Sequence, residues 1–192
     1  DPGYIPVSGE LLDLDLDARQ AFVYDCNRGE IVYLKGEAEV VYPASTTKLL
    51  TVLCALEVLS PEEIITPGEE LSLVESGSSL AYIKDNHRLS VQMLVEGMLL
   101  PSGNDAAYVL AAAAGNRLSD GEVAGKAAVA FFMDHMNEYA KTLGLKGSHF
   151  TVPDGLAGNE HYSTLEDMLL VARAAAQHPL ISRYAAMATD HV

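Results

Sequence analysis

The sequence is poor in the features that mark several common classes of protein. It has no apolar run long enough to span a bilayer and no secretory leader at its start, so neither a transmembrane helix nor a signal peptide is predicted. Only two cysteines occur in 192 residues, too few for a disulfide framework. Basic residues are scarce, 12 against 27 acidic, and the net charge of −15 argues against nucleic acid as a partner.

Motifs for metal binding and for a catalytic triad are missing as well. The six histidines show no His-Glu-x-x-His spacing and no cysteine partners, so no zinc site is predicted. The acidic cluster from Glu62 to Glu70 lacks the alternating oxygen ligands of a calcium loop and is interpreted as a hydrated loop. No Gly-x-Ser-x-Gly elbow is found for a Ser-His-Asp triad. We predict no metal and no cofactor, and structural roles for His149 and His161.

What the chain does contain is enough apolar residues for a core. Its hydrophobic content is 49%, which predicts one globular domain over residues 1–192. Cys54 falls inside a predicted helix and is interpreted as a small core residue, whereas Cys26 falls in a predicted turn. A bridge between them would require Cα atoms within about 7 Å, and the sequence leaves this open.

The first informative motif is Pro43-Ala-Ser-Thr-Thr-Lys48. Apolar residues at helical spacing predict a helix over residues 46–59, which places Ser45 at its N-terminus and Lys48 one turn later on the same side. A serine hydroxyl needs a nearby base to act as a nucleophile, and a lysine can be that base only when its proton is destabilised. The combination indicates nucleophilic acyl transfer. The alternative is an N-cap serine and a solvated first-turn lysine.

The second informative motif is Pro101-Ser-Gly-Asn-Asp105. It separates predicted helices over residues 91–100 and 105–114, so Ser102 and Asn104 lie in a short connecting loop that can project into a cleft. The alternative is simple helix punctuation, with Asn104 as a cap of the second helix.

The rest of the chain is predicted to be a hairpin followed by loops and helices. Ser90 is expected to cap the helix that follows it, and Ser163 with Glu166 to form a capping box. Phe131–Phe132, Met133 and Met136 are expected on the buried side of their helix. The predicted elements are strands at 20–24 and 30–35, a possible strand at 71–74, and further helices at about 121–143 and 165–177.

At this point the sequence resembles a known family. Ser45-x-x-Lys48 followed by Ser102-x-Asn104 is similar to the first two motifs of the penicillin-binding proteins and serine β-lactamases. From about residue 17 onward, other segments resemble the low-molecular-mass D-alanyl-D-alanine carboxypeptidases. These segments are Ala21–Asp25, Gly29–Tyr33, Tyr42–Lys48, Leu99–Ala107, Leu143–Lys146, His149–Phe150, Gly155–Leu156 and His161–Thr164.

The resemblance implies an α/β (α+β) fold of the penicillin-binding, transpeptidase type, in which a helical cluster packs on a small antiparallel sheet. It implies Ser45 as the nucleophile, with its backbone amide as an oxyanion donor, and Lys48 as the base. Ser102 would relay a proton to the leaving D-alanine, and Asn104 would bind the substrate backbone. The substrate would be a peptidoglycan stem peptide ending in D-Ala-D-Ala, and β-lactams would acylate the same serine.

One family motif, Lys-Thr-Gly on a sheet-edge strand, has no counterpart in the sequence. Lys141-Thr142-Leu143 lacks the glycine and lies in a helical pattern, and Lys146-Gly147-Ser148 lies in a turn. Because the missing strand would hold the substrate carboxylate and donate a second oxyanion hydrogen bond, we expect half a site. The fold is then incomplete at its C-terminus, and the chain is either the N-terminal portion of a longer protein or a natural variant without the motif.

The resemblance, and not the sequence itself, places the parent protein outside the cytoplasmic membrane. Membrane attachment in the family often uses a C-terminal amphipathic segment, which these residues do not contain. Two other functions stay open at this stage. One is a serine β-lactamase, although Glu160 is the nearest carboxylate by position and does not match the deacylating glutamate pattern. The other is a non-catalytic fragment that binds the cell wall.

Overall fold

The computed structural model describes residues 6–36 and 40–187, and its chain begins with the predicted hairpin. Strands β1 (Ala21–Asp25) and β2 (Glu30–Lys35) pair in antiparallel register, with an irregularity between Val23 and Tyr24. The Asp25 carboxylate accepts hydrogen bonds from the backbone N–H groups of Asn27 and Arg28, which fixes the turn because a short acidic side chain can cap its own loop.

In the residues that the structure describes, the expected antiparallel sheet is present as three separate two-stranded sheets, of which the hairpin is the first. Strand β3 (Val40–Val41) pairs with β6 (Ser163–Thr164), and β4 (Ile64–Ile65) pairs with β5 (Leu89–Ser90). The first of these pairs joins the chain just before the Ser45 motif to a segment more than a hundred residues later. A helical cluster with small antiparallel sheets confirms the predicted fold class.

Six α-helices form the body of residues 6–36 and 40–187, and their ends follow the capping signals only in part. Ser90 caps the second helix as predicted, because its Oγ accepts a hydrogen bond from the Met93 N–H at 3.2 Å. The helices are α1 (Thr47–Leu56), α2 (Val91–Leu99), α3 (Asn104–Leu118), α4 (Gly125–Thr142), α5 (Leu165–Gln177) and α6 (Pro179–Ala185).

Three local predictions are wrong. The segment predicted as a strand at 71–74 belongs mostly to a 3-10 helix, Glu69–Leu73, in which the Ser72 hydroxyl donates to the Glu69 carbonyl at 2.7 Å. The cap of α5 is Thr164, which accepts from the Asp167 N–H at 3.2 Å, and not Ser163. Phe131 is exposed, whereas the other three residues of its predicted buried set, Phe132, Met133 and Met136, lie in the core.

The core is built around α3, in which 11 of the 15 residues are buried, most of them small or aliphatic. Gly115 of this helix lies directly against the Ala128 carbonyl of α4, where a Cβ would overlap the oxygen. Cys54 is buried and free, and Cys26 is exposed and free, so the two are not bridged. Within residues 6–36 and 40–187, every helix is too short or too polar to cross a bilayer.

The close approach of α3 and α4 gives a first prediction. We expect Gly115→Ala to lower the free energy of unfolding by about 2 kcal/mol, although alanine is intrinsically the better helix former by about 1 kcal/mol. Urea denaturation followed by circular dichroism measures the change. Gly9→Ala is the control, because open space surrounds Gly9. Equal unfolding midpoints for the two variants would show that the helices can separate without cost.

Candidate active site

Ser45 lies in a single 3-10 turn, Ala44–Thr46, that leads directly into α1. This is the position at the helix start that the sequence predicts. The turn is held by Thr46, whose backbone N–H and side-chain hydroxyl both donate to the Pro43 carbonyl, at 3.1 and 2.5 Å. Ala44 has a positive φ of 48°, a backbone conformation that is rare for residues other than glycine. Ser45 itself is exposed and accessible to a ligand.

Lys48 is buried, with 2% of its surface exposed, so the alternative of a solvated first-turn lysine is wrong. Its amine contacts four oxygen atoms. Nζ lies 3.1 Å from Ser45 Oγ and 3.3 Å from Ser102 Oγ. It also lies 2.8 Å from Asn104 Oδ1 and 3.1 Å from the Asp154 carbonyl oxygen. The structure therefore brings together all four predicted site residues around one nitrogen.

The four oxygens differ in whether they can give a proton. An amide oxygen and a backbone carbonyl only accept hydrogen bonds, whereas the two serine hydroxyls can also donate. An ammonium has three N–H groups, but a neutral amine has two and one lone pair. When Lys48 is neutral, its two N–H groups can satisfy Asn104 and Asp154, and its lone pair is left to face the hydroxyls. This arrangement suits a base that removes a serine proton.

Burial also affects the charge that Lys48 carries. Removal from water lowers the pKa of the Lys48 amine below its ordinary value, and the nearby Asp154 carboxylate opposes that shift. Burial raises the pKa of the Asp154 carboxyl, while the Leu156 N–H and the Lys48 charge lower it. Desolvation is thus the dominant cause for both groups, and it favours the neutral amine that a general base requires.

Ser102 and Asn104 are placed by the elbow between α2 and α3. Ser102 has a positive φ of 60°, which turns the chain sharply. Asn104 is the first residue of α3 and is buried. The cap position of α3 is Gly103, and the Asn104 side chain accepts from Lys48, so the alternative of Asn104 as a helix cap is wrong.

The elbow is held from behind by the buried carboxylate of Asp105. Its two oxygens accept from the backbone N–H groups of Ala81 at 2.8 Å and Ile83 at 2.9 Å. Tyr82, between them, has a positive φ of 59°, a strained conformation for an aromatic residue that persists only when its surroundings fix it. Asp105 therefore locks residues 81–83 against the helix start that carries Asn104.

The sequence analysis missed the segment that closes the site, residues 151–161. Besides the Asp154 carbonyl, it contributes Gly155, where a Cβ would overlap the Ala44 carbonyl oxygen, and the Pro153 carbonyl, which accepts from the Thr51 hydroxyl at 2.7 Å. The Pro-Asp-Gly sequence does predict a turn. Only the three-dimensional structure shows that this turn packs against the turn that carries Ser45.

His161, at the end of this segment, also has a position that the sequence did not predict. It is 2% exposed, its Nδ1 accepts from the Thr151 N–H at 3.0 Å, and we therefore assign its proton to Nε2, which donates to Thr47 Oγ1 at 2.8 Å. Desolvation, and to a smaller extent the charge of His149, lower the pKa of His161 to about 4. The imidazole is neutral at physiological pH.

The other sequence candidates lie elsewhere. Lys141 is on α4 and pairs with Glu138 at 2.6 Å, and the Lys146 and Gly147 N–H groups donate to the Asp167 carboxylate. The Glu160 backbone carbonyl accepts a hydrogen bond from the His149 ring. The carboxylate whose charge acts on Lys48 is that of Asp154, not that of Glu160. In the part of the chain that the structure describes, which leaves out His191, no three metal-ligating side chains cluster.

Comparison with known sequences gives a consistent set of similarities. Residues 8–192 match the model of the Peptidase S11 family, described as D-alanyl-D-alanine carboxypeptidase. The D-alanyl-D-alanine carboxypeptidase DacF of Bacillus subtilis is 28% identical over 185 residues, which are 94% of this chain and 44% of that protein. DacD of Escherichia coli is 32% identical over 171 residues, 83% of this chain and 41% of that protein. The chain thus spans less than half of the length of these relatives.

Solved structures of similar fold extend the comparison. A Streptomyces DD-transpeptidase superposes with a TM-score of 0.76 at 28% identity, covering 88% of this chain and 64% of that one. The D-alanyl-D-alanine carboxypeptidase DacD of Francisella tularensis superposes with a TM-score of 0.72 at 35% identity, covering 87% of this chain and 38% of that one.

The buried neutral histidine predicts how stability depends on pH. The unfolded chain gains a proton at residue 161 near pH 6.5, whereas the folded protein does so only near pH 4. The free energy of unfolding should therefore fall as the pH is lowered through this window, by up to about 3 kcal/mol. Urea denaturation at pH 7, 6, 5 and 4 measures the slope, which His161→Gln should reduce strongly and His149→Gln only slightly, because desolvation is the larger cause of the shift. Equal slopes in all three proteins would contradict the assignment.

Proposed function

This chain belongs to the D-alanyl-D-alanine carboxypeptidase family of serine peptidases, and from that membership we propose that its site removes the terminal D-alanine from peptidoglycan stem peptides. The reaction passes through an acyl-enzyme on Ser45, and β-lactams acylate the same oxygen. The observation that carries the proposal is the contact of one buried amine, Lys48, with both Ser45 Oγ and Ser102 Oγ.

The acylation step follows from the directions of the hydrogen bonds. Neutral Lys48 takes the proton of Ser45 as Oγ bonds to the carbonyl carbon of the D-Ala-D-Ala peptide bond. The oxyanion that forms accepts a hydrogen bond from the Ser45 backbone N–H at the start of α1, where free amides and the helix dipole favour negative charge. The C–N bond then breaks, and the leaving amine needs a proton.

Ser102 is suited to deliver that proton. Its hydroxyl lies 3.3 Å from Lys48 Nζ, so it can donate its own hydrogen to the D-alanine nitrogen and recover one from the charged lysine. The Asn104 Oδ1 stays on Lys48 at 2.8 Å, which leaves the Asn104 NH₂ group to donate to a substrate carbonyl. Water then hydrolyses the ester, and Ser45 regains its proton.

The complete activity is proposed for the whole protein, because the chain spans 44% and 41% of the length of two curated relatives. The substrate carboxylate and the second oxyanion donor are expected to be held by a Lys-Thr-Gly strand outside these residues. Since peptidoglycan lies outside the cytoplasmic membrane, we place the protein on that side of it. Its attachment to the membrane, if it follows the family, uses other segments.

Acylation is the first prediction from this proposal. Incubation of the natural full-length protein with benzylpenicillin should add the mass of one drug molecule, and digestion should locate it on Ser45. Ser45→Ala should give no adduct, whereas Ser76→Ala, at an exposed serine, should label fully. The same protein should release D-alanine from a peptide ending in D-Ala-D-Ala. A folded full-length protein that neither binds penicillin covalently nor releases D-alanine would refute the proposal.

The role of Lys48 gives a separate prediction. Lys48→Arg keeps the positive charge but removes the base, because an arginine is not deprotonated in proteins. The rate constant for acylation by benzylpenicillin should fall on the order of a thousandfold, in the range of lost general-base catalysis. Time-resolved intact mass measures it. Lys126→Arg, at an exposed lysine, is the matched control, and a wild-type rate in Lys48→Arg would exclude Lys48 as the base.

A further inference from the structure

Three contacts tie residues 151–161 to the turn and helix that carry Ser45 and Lys48. The Thr51 hydroxyl donates to the Pro153 carbonyl, Gly155 packs on the Ala44 carbonyl, and His161 Nε2 donates to Thr47 Oγ1. The two hydrogen bonds are buried, and each of the three contacts joins residues more than a hundred positions apart. The loop and the first turns of α1 are therefore held together as one unit.

His161 carries the only aromatic ring in this unit, and both of its nitrogens are used. Thr151 N–H donates to Nδ1 at 3.0 Å, and Nε2 donates to Thr47 on the other side. The Phe150 ring meets the imidazole edge-on, with centroids 5.5 Å apart and an interplanar angle of 81°. No step of the proposed reaction uses this buried histidine, so its role lies in what it holds.

What the histidine holds is the loop that supplies the Asp154 carbonyl to Lys48. That carbonyl and Asn104 Oδ1 are the two oxygens on Nζ that cannot donate a proton. If the carbonyl moved away, a neutral amine could turn an N–H toward Ser45 in place of its lone pair. The position of the Asp154 carbonyl therefore decides where the lone pair points.

We propose that His161 is a positioning residue for the acylation step: through Thr47 and the 151–161 loop, it keeps the Asp154 carbonyl on Lys48 Nζ and so directs the lone pair of the amine at the Ser45 hydroxyl. The inference rests on the proposed function, because it deepens the account of the same site. The proton balance of the step is unchanged, since the Ser45 proton still passes to Lys48.

Two substitutions separate positioning from simple packing. His161→Gln keeps an acceptor for the Thr151 N–H and a donor for Thr47 Oγ1, whereas His161→Leu fills much of the space and makes neither hydrogen bond. His149→Gln is the matched control, because His149 is exposed and its ring hydrogen-bonds to the Glu160 carbonyl, not to the turn or helix that carries Ser45. The charge of Asp154 acts directly on Lys48, and the charge of Glu75 acts on Asp154. All three variants keep both carboxylates.

The first measurement is the second-order rate constant for acylation of the full-length protein by benzylpenicillin, from pH 6 to 10, scaled to the folded fraction. His161→Leu should react about ten to a hundredfold more slowly at neutral pH, the loss typical of a small displacement in a catalytic group. Its pH midpoint should also rise, because water that enters the loosened site stabilises the charged lysine. His161→Gln should recover most of the rate, and His149→Gln should match the wild type.

A second measurement does not require catalysis. The ¹³C NMR signal of the Lys48 Cε, assigned by its loss in Lys48→Arg, reports the ionisation of this amine directly. Its midpoint should be higher in His161→Leu than in the wild type, and near the wild-type value in His161→Gln. If wild-type protein is not acylated at all, the proposed function fails, but the NMR comparison still tests the role of His161.

The inference is overturned by one pattern of results. His161→Leu would have a lower melting temperature, while its folded fraction would keep the wild-type acylation rate and the wild-type Lys48 midpoint. In that case His161 contributes only to packing and to stability.

Discussion

Burial of the Lys48 amine is the constraint on which the rest of this site depends. A lysine removed from water without partners is costly, so the fold surrounds it with four oxygens drawn from three different segments of the chain. Each segment must then be held accurately, because a small displacement would leave a buried N–H without an acceptor. The same burial that makes the amine expensive to place makes it reactive, since desolvation favours the form with a free lone pair.

Single polar side chains, buried or half-buried, hold irregular segments of the protein in place. Asp105 fixes residues 81–83 through two backbone N–H groups, and Asp167 fixes the turn at Lys146 and Gly147 in the same way. Asn137 of α4 binds both the N–H and the carbonyl of Phe150, at the entrance to the 151–161 loop. Each residue satisfies backbone groups that a loop cannot pair internally, so irregular segments become as well defined as the helices beside them.

The parts of the site that the sequence predicts are those written in short motifs. Ser45 and Lys48 are one helical turn apart, and Ser102 and Asn104 share one elbow, so local geometry brings each pair together. The 151–161 loop could not be predicted to close the site, because its contacts depend on how distant helices pack. Errors elsewhere have local causes: Leu71-Ser72-Leu73-Val74 alternates like a strand, but the Ser72 hydroxyl bonds back to the Glu69 carbonyl. Phe131 lies one position off the buried face of α4.

The long separation between Thr47 and His161, 114 residues, has a consequence for biosynthesis. Contacts of such high sequence separation form late, because loop closure must precede them. While the chain leaves the ribosome, Ser45 and Lys48 emerge long before the carbonyl and imidazole that complete their surroundings. Until then, water reaches the lysine and favours its charged form. The buried, desolvated amine, and with it the base role proposed for Lys48, therefore exists only after residues 151–161 have folded against α1.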